Sequence, residues 1–137
     1  MSSTNFAENK ILDLLFGATA LSTLPATYYI GLSTSVPNET GGNITEPSGG
    51  AYARVAVANN KTSFGNASAG ALTNLISISF AESTASWGTI THIVFYDSLT
   101  GGNVWFWEAL PTSKTVAAYT TVYFSATSLT ISNLNAG

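Results

Sequence analysis

The segment Ile90-Thr91-His92-Ile93-Val94-Phe95-Tyr96 decides the fold of this 137-residue chain. It carries apolar side chains on both of its faces and is rich in β-branched and aromatic residues. That composition is typical of a strand covered on both sides. The polar segment from Asp97 to Asn103 contains Gly101-Gly102 and predicts a hairpin loop. A second strand is therefore predicted from Val104 to Leu110, antiparallel to the first.

Short strands separated by Gly, Pro, Asn and Ser clusters are predicted along the rest of the chain after Pro25. Tyr28, Ile30 and Leu32 share one face of a first strand. Alternation is clearest around residues 75–80, where Ile76, Ile78 and Phe80 are predicted to face inward. Such alternation is typical of antiparallel sheets that have one face on the core and one face exposed to solvent. Seven to eight strands over residues 25–132 predict an all-β fold of the antiparallel β-sandwich or jelly-roll type, with one short N-terminal helix.

That helix is predicted over residues 5–17. Its apolar residues at helical spacing are Phe6, Ile11, Leu14 and Leu15, and Leu12 and Phe16 widen the stripe. Asn5 and Glu8 form an Asx variant of the capping box, and Gly17 is a natural stop. Because the stripe is wide, we expect the helix to dock on the rest of the chain or on a neighbouring subunit.

The composition excludes several classes of protein. Only 8% of the residues are charged, against about 25% in an ordinary soluble domain. The net charge is −3, with no cluster of basic residues, which argues against nucleic acid as a partner. The absence of cysteine excludes disulfide scaffolds and thiol chemistry. No apolar stretch approaches the ~20 residues of a membrane span, so we expect no membrane insertion.

We expect residues 1–137 to form a single domain that folds in a cytoplasm and ends in a polar tail, residues 133–137. Residues 37–50 form a long loop rich in Gly, Asn, Thr and Pro. With almost nothing to bury, it is predicted to be either mobile or ordered by contact with another chain.

Candidate chemical groups are few, and we predict no catalytic site, metal site or cofactor. Glu108, in an aromatic surround, and Asp97, across the hairpin, are the best carboxylate pair for glycoside hydrolysis. A structural role is the simpler interpretation of both. Glu39 and Glu46, with the loop between them, could offer oxygen ligands to calcium. Their spacing, however, matches no EF-hand loop. His92 has no second histidine or cysteine with which to share a metal.

The aromatic strand is the strongest sign of an interaction surface. Trp105 and Trp107 alternate with Phe106, so whichever face is inward, aromatic surface is expected on the other. Either a neighbouring subunit or the predicted helix would cover it. Together with Tyr119, the two tryptophans are also the candidates for stacking against a sugar ring.

Several segments resemble a family of small bacteriophage virion proteins usually labelled tail fibre proteins. They are Tyr28-Tyr29-Ile30-Gly31-Leu32-Ser33-Thr34, Thr45-Glu46-Pro47-Ser48-Gly49-Gly50-Ala51-Tyr52-Ala53-Arg54-Val55, Ser86-Trp87-Gly88-Thr89-Ile90-Thr91-His92, Tyr96-Asp97, Thr100-Gly101-Gly102-Asn103 and Thr112-Ser113-Lys114-Thr115-Val116. The helix Glu8-Asn9-Lys10-Ile11-Leu12-Asp13 is similar to the family's opening. The resemblance therefore covers nearly the whole chain.

The resemblance implies a non-enzymatic structural protein of the virion, made in the host bacterial cytoplasm. We expect an oligomeric component of the tail, of the fibre or baseplate type, with copies of itself in a trimer or another ring. Other virion proteins, of the tail or the major capsid, are the further partners. The alternatives are a capsid decoration (cement) protein and a carbohydrate-binding module for a host surface glycan. The candidate interface or ligand residues are Phe6, Ile11, Leu14, Glu46, Trp105, Trp107 and Tyr119.

Overall fold

Nine strands and one helix make up the part of the chain that the computed structural model describes, residues 1–17 and 24–132. They are β1 (Ser2–Ser3), α1 (Asn5–Gly17), β2 (Thr27–Ser33), β3 (Val55–Ala58), β4 (Ala71–Thr73), β5 (Ile78–Ser79), β6 (Gly88–Tyr96), β7 (Val104–Val116), β8 (Tyr123–Phe124) and β9 (Thr130–Ser132). The helix has the predicted bounds. The strands outnumber the predicted seven to eight because several are only two or three residues long. The predicted polar tail lies outside the described residues.

The main sheet has five antiparallel strands in the order β1-β7-β6-β2-β3. The strand β6 is central, as its sequence predicts. Ile93 and Phe95 face the larger hydrophobic cluster, whereas Val94 and Tyr96 face a second, smaller one on the opposite side. Both faces of the central strand are therefore buried.

A second layer packs on one face of this sheet. It consists of two ribbons, β4-β9 and β5-β8. Phe64, Phe80, Val122 and Leu129 of this layer join the larger cluster. The all-β sandwich with one short helix is thus confirmed.

The prediction that Ile76 faces inward is wrong, since 40% of its surface is exposed. The side-chain amide of the buried Asn74 donates to the Ile76 carbonyl at 2.8 Å and to the Ser125 carbonyl at 2.9 Å. Residues 75–77 therefore bend around Asn74, and β5 begins only at Ile78.

A β-bulge at Trp105 changes the faces of the aromatic strand. Phe95 pairs with Phe106 and Tyr96 pairs with Val104, so Trp105 is the extra residue. As a result Trp105 and Phe106 both join the larger cluster, and strict alternation through this segment is lost. Trp107 packs against the second cluster.

The N-terminus of α1 is capped by Thr4, not by Asn5 as predicted. The Ala7 amide donates to Thr4 Oγ1 at 3.2 Å. Glu8 instead accepts a hydrogen bond from the Ser3 hydroxyl at 2.6 Å. The cap lies one residue earlier because β1 pairs with β7 and places Thr4 against that strand, where its hydroxyl donates to the Val104 carbonyl at 2.6 Å.

The long loop, residues 37–50, is ordered by its own chain, an arrangement that neither sequence interpretation included. The Asn5 amide donates to the Glu39 carbonyl at 2.8 Å. The Asn38 side-chain oxygen accepts from the Thr40 and Gly42 amides. Ile44 packs against the second cluster. The loop thus covers the face of the sheet that the ribbons leave open.

Candidate assembly surface and its supports

The outward face of α1 is an exposed apolar surface. Leu12, Leu15 and Phe16 are 52%, 65% and 84% exposed. They share one face because residues three and four apart in a helix are neighbours. Exposed apolar patches larger than a few hundred Å² usually mark interaction sites. We call these three residues the outward face of α1.

The helix is attached to the rest of the chain through its first turns. Ala7 is fully buried, and the Phe6 ring meets the Trp105 ring edge-on, with centroids 5.2 Å apart. Ile11 is half-buried, and Leu14 is exposed. Phe6 therefore contributes to docking within the chain, whereas the most exposed residues lie in the last turn and a half.

The last turn of α1 lacks a basic residue. The carbonyl groups at the C-terminus of a helix carry partial negative charge, which a cation normally complements. Asp13, exposed beside the outward face, adds a full negative charge to the same end. This end of the helix therefore suits a partner with a positive group.

An apolar pocket of about 400 Å³ opens between the main sheet and the β4-β9 ribbon. It is lined by Tyr28, Phe64, Leu72, Phe95, Phe106 and Ile131, with Asn59, Asn60 and Lys61 also contributing. Burial raises the pKa of Tyr28 to about 12, with the charge of Asp97 adding to the effect, so its phenol is neutral at physiological pH. The aromatic part of the lining is thus uncharged, and the exposed Lys61 adds a positive charge. We call this feature the apolar pocket.

Glu46 belongs to a partly buried polar cluster that fixes two loops. Its Oε1 accepts from the Tyr52 hydroxyl at 2.7 Å and from Arg54 Nε at 2.9 Å, and its Oε2 accepts from Arg54 Nη2 at 2.7 Å. Arg54 Nη1 donates to the carbonyls of Ser98 and Gly101 in the hairpin loop. The guanidinium carbon lies 3.3 Å from the centroid of the Tyr96 ring.

The surroundings of Glu46 favour its ionised form. Burial acts to raise the pKa of this carboxyl, but the hydrogen bonds from Arg54 and Tyr52 and the charge of Arg54 outweigh it. The pKa of Glu46 is therefore below its ordinary value. A side chain at Gly31 would place its Cβ 2.8 Å from Glu46 Oε1, so the strand beside the cluster has room only for glycine. With its acceptors engaged inside the chain, Glu46 supports the two loops, and its role as a contact residue stays a prediction.

The three predicted stacking aromatics lie in different environments. Trp105 is 3% exposed, and its indole N–H donates to Asp97 at 3.2 Å. Trp107 is half-buried beside β1. Tyr119 is 78% exposed, in a turn where its φ is 62°. The structure does not bring these rings together on one surface, and α1 provides the internal cover of Trp105.

The candidate chemical groups are also separated. Asp97 binds its own loop, accepting from the Asn103 amide at 2.7 Å. Glu108 lies along β7, 3.5 Å from the Met1 amino group. His92 is buried, and its Nδ1 lies 2.8 Å from the Thr91 hydroxyl. Within residues 1–17 and 24–132, no three potential metal-ligating side chains of the His, Cys, Asp or Glu type come together.

The outward face of α1 was only partly visible in the sequence. Helical spacing identifies the helix and its wide stripe, but not which side of the stripe is buried. That side is set by Thr4 and β1, which anchor the first turn on β7. The apolar pocket has no sequence signal, since its lining comes from six separate segments.

Comparison with known proteins identifies the family. In the described part of the chain, no helix combines the length and apolar character needed to cross a bilayer. No curated protein matches the sequence. The model of one protein family, described as Podophage GP4 fiber I protein gp80, matches residues 2–132. Because this match spans nearly the whole sequence, the chain belongs to that family of phage fibre proteins and is a structural component of the virion.

Proposed function

We propose that this fibre-family chain is a non-enzymatic component of the phage tail that assembles with copies of itself through the outward face of α1. The observation that carries the proposal is the exposure of Leu12, Leu15 and Phe16 on a helix whose other side is anchored. Within residues 1–17 and 24–132, this surface is open to water. Burying a large apolar side chain stabilises a contact by roughly 1.5–3 kcal/mol before the cost of association.

The remaining surface supports a structural role rather than a chemical one. Glu46, Asp97 and Glu108 are each engaged by groups of the same chain. Hydroxyl and amide side chains dominate the polar part of the composition, with 36 serine and threonine residues and 11 asparagines. Such a surface allows many copies to pack closely without strong charge repulsion.

The test combines the position of the protein in the particle with its association in solution. Cryo-electron microscopy of the intact virion is expected to locate the chain in the tail, as an oligomer with α1 at the contacts. Analytical ultracentrifugation of the purified chain is expected to show self-association. The double variant Leu12→Gln/Phe16→Gln should weaken it, whereas Leu99→Gln, at a comparably exposed position on the hairpin loop, should not.

Other results would reject parts of the proposal. Density at the junctions between capsid subunits would make the chain a decoration protein and reject the tail position. A wild-type chain that stays monomeric in solution and on the particle would reject assembly through α1. Binding on a glycan array that is lost in Tyr119→Ala would instead establish a sugar-binding role.

A further inference from the structure

We propose that Phe16 of one copy inserts into the apolar pocket of the next copy, in a head-to-tail contact. The inference rests on the proposed function, because it identifies the surface that receives the outward face of α1. It joins two features of the described residues. Phe16 is exposed, and the apolar pocket is large enough to receive an aromatic ring.

The size and lining of the pocket suit a phenyl ring. A dry cavity of about 150 Å³ is enough to bind benzene, and the apolar pocket measures about 400 Å³. The rings of Tyr28, Phe64, Phe95 and Phe106 form its wall. Tyr28 already meets Phe64 and Phe95 edge-on, with centroids 6.3 Å and 6.0 Å away. An inserted ring would extend the same edge-to-face packing.

The charges around the two surfaces are complementary. Lys61 is an exposed residue in the lining of the apolar pocket, and its ammonium donates to the Gly65 carbonyl at 2.9 Å. On the other side of the contact, Asp13 flanks Phe16 and the helix C-terminus has no basic residue of its own. Insertion of Phe16 brings the positive group of one copy to the negative end of α1 in the next.

The contact joins two different patches of the same chain, so it is heterologous. Each copy then offers one helix and one pocket. Repeating the contact gives a ring when the rotation between copies closes. This is the symmetry that a trimer or a larger ring requires.

The first test measures self-association of single variants by analytical ultracentrifugation. Phe16→Ala and Leu72→Trp, which fills the apolar pocket, are each expected to weaken association roughly tenfold or more. Tyr123→Ala removes an exposed aromatic side chain elsewhere and should leave association unchanged. Ile131→Trp is a second pocket-filling variant, and near-ultraviolet circular dichroism with thermal melting establishes which variants are folded.

The second test mixes two defective variants. Phe16→Ala keeps an open pocket, whereas Leu72→Trp, or Ile131→Trp, keeps an intact Phe16. Their mixture is expected to form a 1:1 complex and stop there, because the complex has no second helix-and-pocket pair. A mixture of two folded variants that does not associate would overturn the inference.

The outcomes separate this inference from the proposed function. If Leu12→Gln/Phe16→Gln prevents association but the folded pocket variants associate as the wild type does, α1 meets another surface. The proposed function then stands and this inference fails. If the wild-type chain does not associate at all, both fail.

Discussion

The ion pair of Glu46 and Arg54 holds together loops that are distant in sequence. Arg54 connects the carboxylate to the Ser98 and Gly101 carbonyls, and its side chain is only 7% exposed. Glu46→Gln would leave this guanidinium without a full counter-charge. We expect a loss of roughly 2 kcal/mol in the free energy of unfolding. Urea unfolding checks this, with Glu39→Gln, at an exposed position of the same loop, as the control.

The same residue gives the stability of the protein a dependence on acid pH. For Glu46 and for Asp97, burial acts to raise the pKa, but hydrogen bonds outweigh it and the folded-state pKa is lowered below the ordinary 4.5 and 3.8. A lowered pKa means that protonation favours the unfolded chain. The contribution is complete above the unfolded-state pKa and is lost as the pH falls through the folded-state pKa.

We therefore expect the free energy of unfolding to fall as the pH drops below about 5. Glu46→Gln should reduce the slope of this fall, since one of the two lowered carboxyls is gone. Urea titrations at successive pH values measure it. Equal slopes for the wild type and the variant would show that Glu46 gains nothing from its partners.

Single residues were the hardest features to predict. The hydrogen bonds of Glu46 are not predictable from its local sequence, because nothing there reveals that Arg54 folds back onto it around Gly49 and Gly50. Trp105 was assigned by simple alternation, which a one-residue bulge invalidates. Both features escape prediction for the same reason, because a local sequence pattern contains no information on a backbone that folds back or gains a residue.

At the scale of the element, the cap of α1 is the contact most open to test. Thr4 accepts from the Ala7 amide and donates to the Val104 carbonyl, so one hydroxyl caps the helix and ties it to β7. Thr4→Val keeps the shape and removes both bonds. We expect a loss of about 1–2 kcal/mol in the free energy of unfolding.

Urea unfolding measures that loss, and self-association of the same variant gives a second readout. Because α1 is anchored through its first turn, a loosened cap should also weaken association. Thr112→Val, at an exposed position on β7, is the control. A Thr4→Val protein as stable as the wild type would show that β1 and the packing of Phe6 hold the helix without the cap.

The position of an element is predictable where its hydrophobic residues recur at a regular spacing. The bounds of α1 and the central position of β6 follow directly from hydrophobic spacing and from apolar residues on both faces of a strand. The short ribbons were predicted less accurately, because two or three residues carry little periodicity. Around Ile76, the hydrogen bonds of a buried asparagine prevail over alternation.

At the scale of the whole molecule, the fold class is predictable from the sequence, whereas the position of the long loop and the apolar pocket are not. Alternating short strands with few charges specify an all-β sandwich. The covering role of residues 37–50 depends on tertiary contacts such as that between the Asn5 amide and the Glu39 carbonyl. For the same reason, the apolar pocket appears only once six segments are assembled around it.

The low charge of the molecule predicts how the proposed self-association responds to salt. With a net charge of −3 and 8% charged residues, long-range repulsion between copies is weak. At 1 M salt the screening length is about 3 Å, so an exposed pair such as Asp13 and Lys61 loses most of its contribution, about 1 kcal/mol or less. The burial of Phe16 is not screened.

Raising NaCl from about 0.05 M to about 1 M is therefore expected to weaken self-association by less than about tenfold, as measured by analytical ultracentrifugation. Asp13→Asn should make the response flatter still, because it removes the screened part of the contact. A loss of a hundredfold or more would mean that charges, and not the outward face of α1, hold the copies together.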